Sequence, residues 1–327
     1  MRIKIDPKIT KVEFFAQQEE IPKVAGGSIK KYGPELLMHT FKGSRLLTDP
    51  AAIAKLPSVK RDLLARLLEF HKRVVEYDGV EIEWSDIKYP GVWSPSIDTI
   101  LFARGLKKLF KEPGYLKNLG SFLEIGCGSG YLSKYILQKK NEAGYSLIHA
   151  HLMDINPDAI LCAMTAIESV RGETFISYSL NTPCKPIRMT HSYDLIICNP
   201  PYIPRPNDNP NNPFEGLFLY GEILKKAEKL MKPSGRLITN FSSISKADVF
   251  PEFSKKFDIK IIERMKVPLK IPLITGGMSK ESRQWMEYLL KNKKLIVDAS
   301  ERSGYRYWHV IEIAECRLKN ENLENRI

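Results

Sequence analysis

From about Ile97 the 327-residue chain alternates two hydrophobic rhythms. In DTILFARGLKKLF, YLSKYILQKK, PDAILCAMTAIESV and YGEILKKAEKLM apolar positions recur every three to four residues, which predicts amphipathic helices. Between and after them, SFLEIG, SLIHAHLMD, TFISYSL, YDLIICN and GRLITNF are short runs, mostly apolar, as strands covered on both faces must be. This βαβα order predicts an α/β protein built on a mostly parallel sheet. DIKIIERMKV and YRYWHVIEIAEC add two C-terminal strands. The alternating aromatics of the second are expected in the core rather than free for stacking.

Upstream the pattern is less regular. Leu63, Leu64, Leu67, Leu68, Val74 and Val75 fall at helical spacing, predicting a helix over 58–77 with Ser58 as its cap and His71 at its packed edge. GVEIEW then reads as a short strand, while residues 1–58 show scattered Gly and Pro with weak periodicity. The expected division is an accessory or substrate-recognition region over 1–85 and a main domain over 86–327. An insertion at about 268–303, helical around KESRQWMEYLLKN, is either a lid or docking element or a packed appendage.

Composition narrows the setting. No apolar run is long enough to span a bilayer, and MRIKIDPKITKVEFF lacks the apolar core of a signal peptide. The five cysteines are odd in number with no CxxC pair, which fits a reduced cytoplasmic setting. His149 and His151 alternate on one strand with no third ligand nearby, so no metal site is assigned. A net charge of +12 suits a polyanionic partner or, equally, a lysine-rich solvated surface.

In a parallel sheet the chemistry collects just beyond the carboxyl ends of the strands. FLEIGCGSGYL puts Gly126, Gly128 and Gly130 between a strand and a helix, where the backbone can approach a ligand with no Cβ in the way. Tyr131 occupies the place of the last glycine of a dinucleotide fingerprint, and the carboxylate of Glu124 would repel a pyrophosphate but suit a cationic ligand. HLMDINPDA ends the next strand with Asp154, placed to bond a ribose diol; Asn156 or Asp158 can serve as the helix cap there. Together these residues point to S-adenosyl-L-methionine.

The loop and its acidic partner resemble those of the class I methyltransferases. That resemblance implies a Rossmann-like, seven-stranded, mostly parallel sheet with an antiparallel last strand. It also implies cofactor contacts from Glu124, Gly126, Cys127, Gly128, Gly130 and Asp154. Adenine would be flanked by Ile155 and by the YSLN segment, where Ser179, Leu180 and Asn181 stand.

ICNPPYIPRP ends the YDLIICN strand with two prolines, which fix φ and supply no N–H, so the segment holds a rigid shape. The side-chain oxygen of Asn199 and the carbonyl of Pro200 can accept both N–H bonds of a planar amide or amino group. That would draw the nitrogen toward tetrahedral geometry and aim its lone pair at a methyl donor, while Tyr202 stacks on the planar group. Alignment of this kind can supply about 7–11 kcal/mol of a barrier. NPPY resembles the signature of enzymes that methylate planar nitrogens, in which Asn199 also borders the cofactor and Pro201 and Tyr202 the substrate.

NPPYIP, the GVWSPSIDTILFARGL segment with Pro95, Asp98 and Thr99, and EGLFLYGEILKKAEKLMKPSGRL resemble the HemK-type release-factor glutamine methyltransferases. This implies substrate contacts from Pro95 and Thr99 and a release-factor-like protein as partner. RPNDNPNNPFEG stands where that family has a Gly-Gly pair. The acceptor therefore stays open between a protein glutamine, an RNA or DNA base amino group and a small amidic metabolite, with a non-catalytic scaffold or a nicotinamide dehydrogenase as the readings outside methyl transfer. Oligomeric state is not legible.

Overall fold

The computed structural model describes residues 9–18, 23–40, 43–46, 72–85, 88–145, 148–170, 172, 174–180, 193–202, 217–269, 287–297 and 307–319. Strands β1 (Ile9–Gln18), β2 (Gly27–Thr40), β3 (Gly43–Leu46), β4 (Lys72–Tyr77) and β5 (Val80–Ser85) form a small antiparallel sheet, ordered β1-β2-β4-β5 with β3 beside β2. The larger sheet contains β6 (Ser121–Ile125), β7 (His149–Asp154), β8 (Phe175–Leu180), β9 (Tyr193–Cys198), β10 (Met231–Ser242), β11 (Phe257–Pro268) and β13 (Tyr307–Leu318). Its order is β11-β13-β10-β9-β6-β7-β8, with the short β12 (Ile296–Val297) on β13. Strands β6 to β10 pair in parallel, and β13 runs antiparallel to both of its long neighbours. The α/β sheet expected from the hydrophobic rhythm is present.

Helices cover both faces. On one lie α1 (Ile97–Phe110), α3 (Tyr131–Glu142) and α4 (Pro157–Ile167), with the single turn α2 (Tyr115–Asn118) before β6. On the other lie α5 (Phe218–Leu230) and α6 (Lys246–Lys256). The start of α1 is set locally: the Ser96 N–H donates to Thr99 Oγ1 at 3.2 Å and Asp98 sits in the first turn. Ile100, Leu101, Phe102 and Leu106 of α1 are fully buried, which stabilises its docking by roughly 6–12 kcal/mol. At α4, the Asn156 side chain accepts the Asp158 N–H at 2.9 Å, with Pro157 in the first turn. That frees Asp154 from the cap.

The helix expected over 58–77 is corrected at its C-terminal end: Lys72–Tyr77 is strand β4. Val74 and Val75 fit either period, and the deciding signal is the Asp78–Gly79 turn that follows. Both residues hold positive φ, 56° and 76°, as a tight hairpin requires. The turn closes β4 onto β5, with Tyr77 opposite Val80. Residues 58–71, His71 among them, lie outside the described residues. The hairpin shares the main core, where Ile29, Val75, Val80 and Ile82 pack with Ile100. The Tyr131 hydroxyl donates to the Val80 carbonyl at 3.0 Å, and the Tyr135 hydroxyl to Asp78 Oδ2 at 3.0 Å.

Helix α6 was not expected because Pro251 interrupts its pattern. Of the 268–303 insertion, residues 287–297 are described in part as a helical turn and β12. Leu289 and Leu295 pack there with Ile244 and Leu269, so this portion is joined to the core. Trp308 and His309 of the aromatic strand are buried, as expected. No helix among the described residues is long and apolar enough to cross a membrane.

Candidate active site

The sheet reverses direction between β6 and β9. From β6 the chain winds outward through β7 and β8, then returns to lay β9 on the other side of β6. Glu124 of β6 stands in register with Ile197 of β9. This brings the glycine turn after β6 and Asn199 after β9 to one end of adjacent strands, where an open α/β sheet offers a crevice.

The turn is held by its own backbone. The Gly126 and Cys127 N–H groups both donate to the Met153 carbonyl, at 2.8 and 3.0 Å, and the Gly130 N–H donates to the Cys127 carbonyl at 2.8 Å. Gly126, Gly128 and Gly130 all hold positive φ, but for different reasons. A Cβ on Gly130 would lie 2.5 Å from Ala163 Cα, so this glycine lets α3 start against α4. A Cβ on Gly128 would meet nothing within 4 Å, so its face is open. Cys127 is buried and its thiol pKa is pushed well up by burial, which makes it unreactive.

Two carboxylates flank the turn. Asp154 accepts the Gly128 N–H at 2.9 Å and the Asn156 N–H at 2.9 Å. Burial raises its pKa against the pull of those donors. Glu124 is buried beneath the loop, at 3% exposure, and accepts the Ser133 backbone N–H at 3.1 Å together with the Ser133 hydroxyl. Its pKa is pushed up to about 8, chiefly by burial, with the Asp154 charge adding to the shift.

A cleft opens between this edge and α5, lined by Ile125, Gly126, Met153, Asp154, Ile155 and, from the helix, Leu219 and Lys226. The α5 wall was missed from sequence, although EGLFLYGEILKK carries an apolar stripe that must cover something. Ser179 bonds His151 Nε2 at 2.7 Å, while Leu180 is exposed in register with Asp154. Asn181 lies outside the described residues.

Asn199 is the centre of a polar chain. Its side-chain Nδ2 donates to Asp98 Oδ2 at 2.9 Å, and its Oδ1 accepts from Asn240 Nδ2. The Tyr220 hydroxyl lies 2.7 Å from Asn240 Oδ1 and 3.0 Å from the Asn240 carbonyl oxygen. Asn240 and Tyr220 are buried in β10 and α5. Both were missed from sequence; an asparagine within the apolar RLITNF strand was the available signal. Pro200 is buried, and Pro201 and Tyr202 are half-buried. The Tyr202 ring lies 5.5 Å from that of His309, whose Nδ1 is 2.9 Å from Ser242 Oγ. Burial lowers the His309 pKa to about 4, so the imidazole is neutral at pH 7.

On the α1 side, the Pro95 carbonyl accepts from Arg73 Nη1 at 3.2 Å, and the Thr99 hydroxyl serves the helix cap. Asp98, quoted in the sequence only as part of its segment, is the residue that reaches Asn199. Trp93, five positions earlier on the same approach, is 69% exposed.

An open glycine face, a carboxylate at the end of the second parallel strand and an apolar flank suit a nucleoside with a cationic tail. The fold and the family are those of a class I S-adenosylmethionine-dependent methyltransferase. The family model described as the methyltransferase small domain matches residues 91–258, just over half the chain, and the chain belongs to that family. It is also 28% identical over 178 residues to the release factor glutamine methyltransferase of Fusobacterium nucleatum subsp. nucleatum. That match covers 50% of this chain and 46% of the relative, so the chain spans less than half of that protein's length.

Among solved structures it is similar to P. horikoshii TYW2 in complex with MeSAdo, at 12% identity and a TM-score of 0.42, covering 75% of this chain and 71% of that one. It is likewise similar to the YcgJ protein of Bacillus subtilis, at 12% identity and a TM-score of 0.40, covering 62% and 93%.

Proposed function

We propose that this methyltransferase methylates a planar amide or amino nitrogen, and that its acceptor is a glutamine-type side-chain amide carried by a protein of release-factor kind. The observation that carries this is Asn199, held in one orientation at the end of β9, beside the glycine turn and before two prolines and a half-buried tyrosine. The relative named a release factor glutamine methyltransferase supports the choice of acceptor.

Glu124, Gly126, Gly128, Asp154 and Ile155 would hold the cofactor, which supplies an electrophilic methyl on sulfur. Asn199 Oδ1 and the Pro200 carbonyl would accept the two N–H bonds of the acceptor, and Tyr202 would pack on its plane. With its N–H bonds held there, the nitrogen would direct its lone pair at that methyl, taking it as sulfur keeps the electron pair of its old bond, and would release its surplus proton to water. No strong base is needed before attack, which agrees with the neutral His309 and the hydrogen-bonded Asn199.

A nucleic-acid amino group is the second acceptor, favoured by the net charge of +12 and the exposed Trp93. Incubating the protein with cell extract and methyl-labelled S-adenosylmethionine, then digesting with protease or nuclease, separates the two. Protease-sensitive label is expected; nuclease-sensitive label would transfer the assignment to RNA or DNA, and label among small molecules would overturn both. Asn199→Ala should lower turnover by about 10²–10³-fold while cofactor affinity stays within a few-fold.

A further inference from the structure

An asparagine amide has nearly the same shape when its oxygen and nitrogen exchange places, so position alone does not make Asn199 an acceptor. Turned the wrong way, it would present an NH₂ to the N–H bonds of the substrate. Something must fix the orientation, and the groups that can do so are not among the motifs of the sequence. We propose that Asp98, Asn240 and Tyr220 form a one-way hydrogen-bond relay that locks the Asn199 amide with its oxygen available to the substrate. This makes all three positioning residues. The relay rests on the reading of Asn199 as acceptor given above.

Direction is set at the Asp98 end. The Asp98 carboxylate only accepts, and it takes the Asn199 Nδ2 at 2.9 Å. Asp98 is itself pinned, because its other oxygen accepts the Ser96 hydroxyl at the start of α1. At the far end the Tyr220 hydroxyl lies 2.7 Å from Asn240 Oδ1 and 3.0 Å from the Asn240 carbonyl, and donation to the nearer Oδ1 completes the series that starts at Asp98. Asn240 then has only its NH₂ to offer Asn199 Oδ1, and does so. An sp² oxygen has two lone pairs, so one remains on Oδ1 for a substrate N–H.

Reversing Asn199 would set oxygen against carboxylate and NH₂ against NH₂. Asn240 and Tyr220 are 0% and 1% exposed, so the chain behind Asn199 is closed to water, and the clash that forbids the reversed amide is the one of its oxygen with the Asp98 carboxylate. Hydrogen bonds aligned in series also polarise one another, which strengthens Oδ1 as an acceptor. The three groups come from α1, β10 and α5, elements that meet only in the folded chain.

Two measurements test this on the full chain. With asparagine labelled by ¹⁵N, the side-chain amide signal of Asn199, identified by its loss in Asn199→Ala, should shift in Tyr220→Phe, two hydrogen bonds away. An unmoved Asn199 signal alongside a shifted Asn240 signal would overturn the relay. The second measurement is initial rate of label transfer to the acceptor fraction of cell extract. Asn199→Asp faces one carboxylate with another and should lose about 10²-fold or more in rate. Asp98→Asn/Asn199→Asp restores a donor opposite an acceptor and should recover at least about tenfold over the single variant. A double variant no faster than the product of the single effects would overturn the relay. Coupled amide signals together with normal turnover of Asn199→Ala would instead leave the relay standing and remove the acceptor role from Asn199.

Discussion

Glu124→Gln is the substitution whose effect the structure allows to be worked through. The carboxyl is 3% exposed, and both donors it meets come from Ser133. An ordinary glutamate titrates near 4.5, and burial pushes this one up to about 8. Between those values the unfolded chain has released a proton that the folded chain keeps. The stability tied to this group is therefore complete below about pH 4.5 and is lost as pH rises through about 8. From pH 5 to pH 7 the loss amounts to about 2–3 kcal/mol.

Glutamine keeps the shape and an acceptor for both Ser133 donors, and it does not titrate. Urea unfolding of wild type and Glu124→Gln at pH 5, 6, 7 and 8 should give stability curves that separate by that amount between pH 5 and pH 7, a relative midpoint change of about 1 M, and further by pH 8. A constant difference across the range would refute the protonated, buried Glu124. The cofactor brings positive charge to the cleft, which favours the ionised carboxylate. Its affinity, read by calorimetry, should rise with pH in wild type and stay flat in Glu124→Gln.

The glycines of the turn should separate packing from binding. Gly130→Ala, whose Cβ would lie 2.5 Å from Ala163 Cα, should cost about 3 kcal/mol or more in urea unfolding. Gly128→Ala, with nothing within 4 Å of its Cβ, should cost only about 1–2 kcal/mol for its positive φ yet weaken S-adenosylmethionine binding about tenfold or more. Normal binding by Gly128→Ala would move the cofactor away from this face. Asp154→Asn keeps one of two acceptor oxygens for Gly128, Asn156 and a ribose, and should lose about 10–100-fold in cofactor affinity by the same measurement. Asp78→Ala should destabilise the chain by about 2–3 kcal/mol, because the buried Tyr135 hydroxyl loses its acceptor and Lys107 and Lys139 lose one carboxylate; a loss within experimental error would show the hairpin to be loosely joined to α3.

Much of the main domain is legible in order along the chain. Strands β6, β7 and β9 are short, mostly apolar runs bounded by turn residues, β10 contains such a run in RLITNF, and each helix that faces them carries an apolar stripe. The exceptions have local causes. Val74 and Val75 satisfy helical and strand periods alike, and only the paired positive φ of Asp78 and Gly79 commits them to β4. Pro251 hid α6. The N-terminal strands gave weak periodicity, and β1 and β2 are recognised by their pairing with each other, Phe15 opposite Gly33 among the register partners.

Sequence alone determined the glycine turn, Asp154 and the rigid exit at Asn199, because glycine, carboxylate and proline each limit the local backbone or its charge wherever they stand. It could not determine which partners those residues would have. Ser133 reaches Glu124 from the helix that directly follows β6, whereas Asp98 and Asn240 against Asn199, and α5 over the glycine turn, are contacts between elements far apart in the chain. Only the return of β9 to the side of β6 brings them together, and only burial then moves the Glu124 proton and fixes the Asn199 amide.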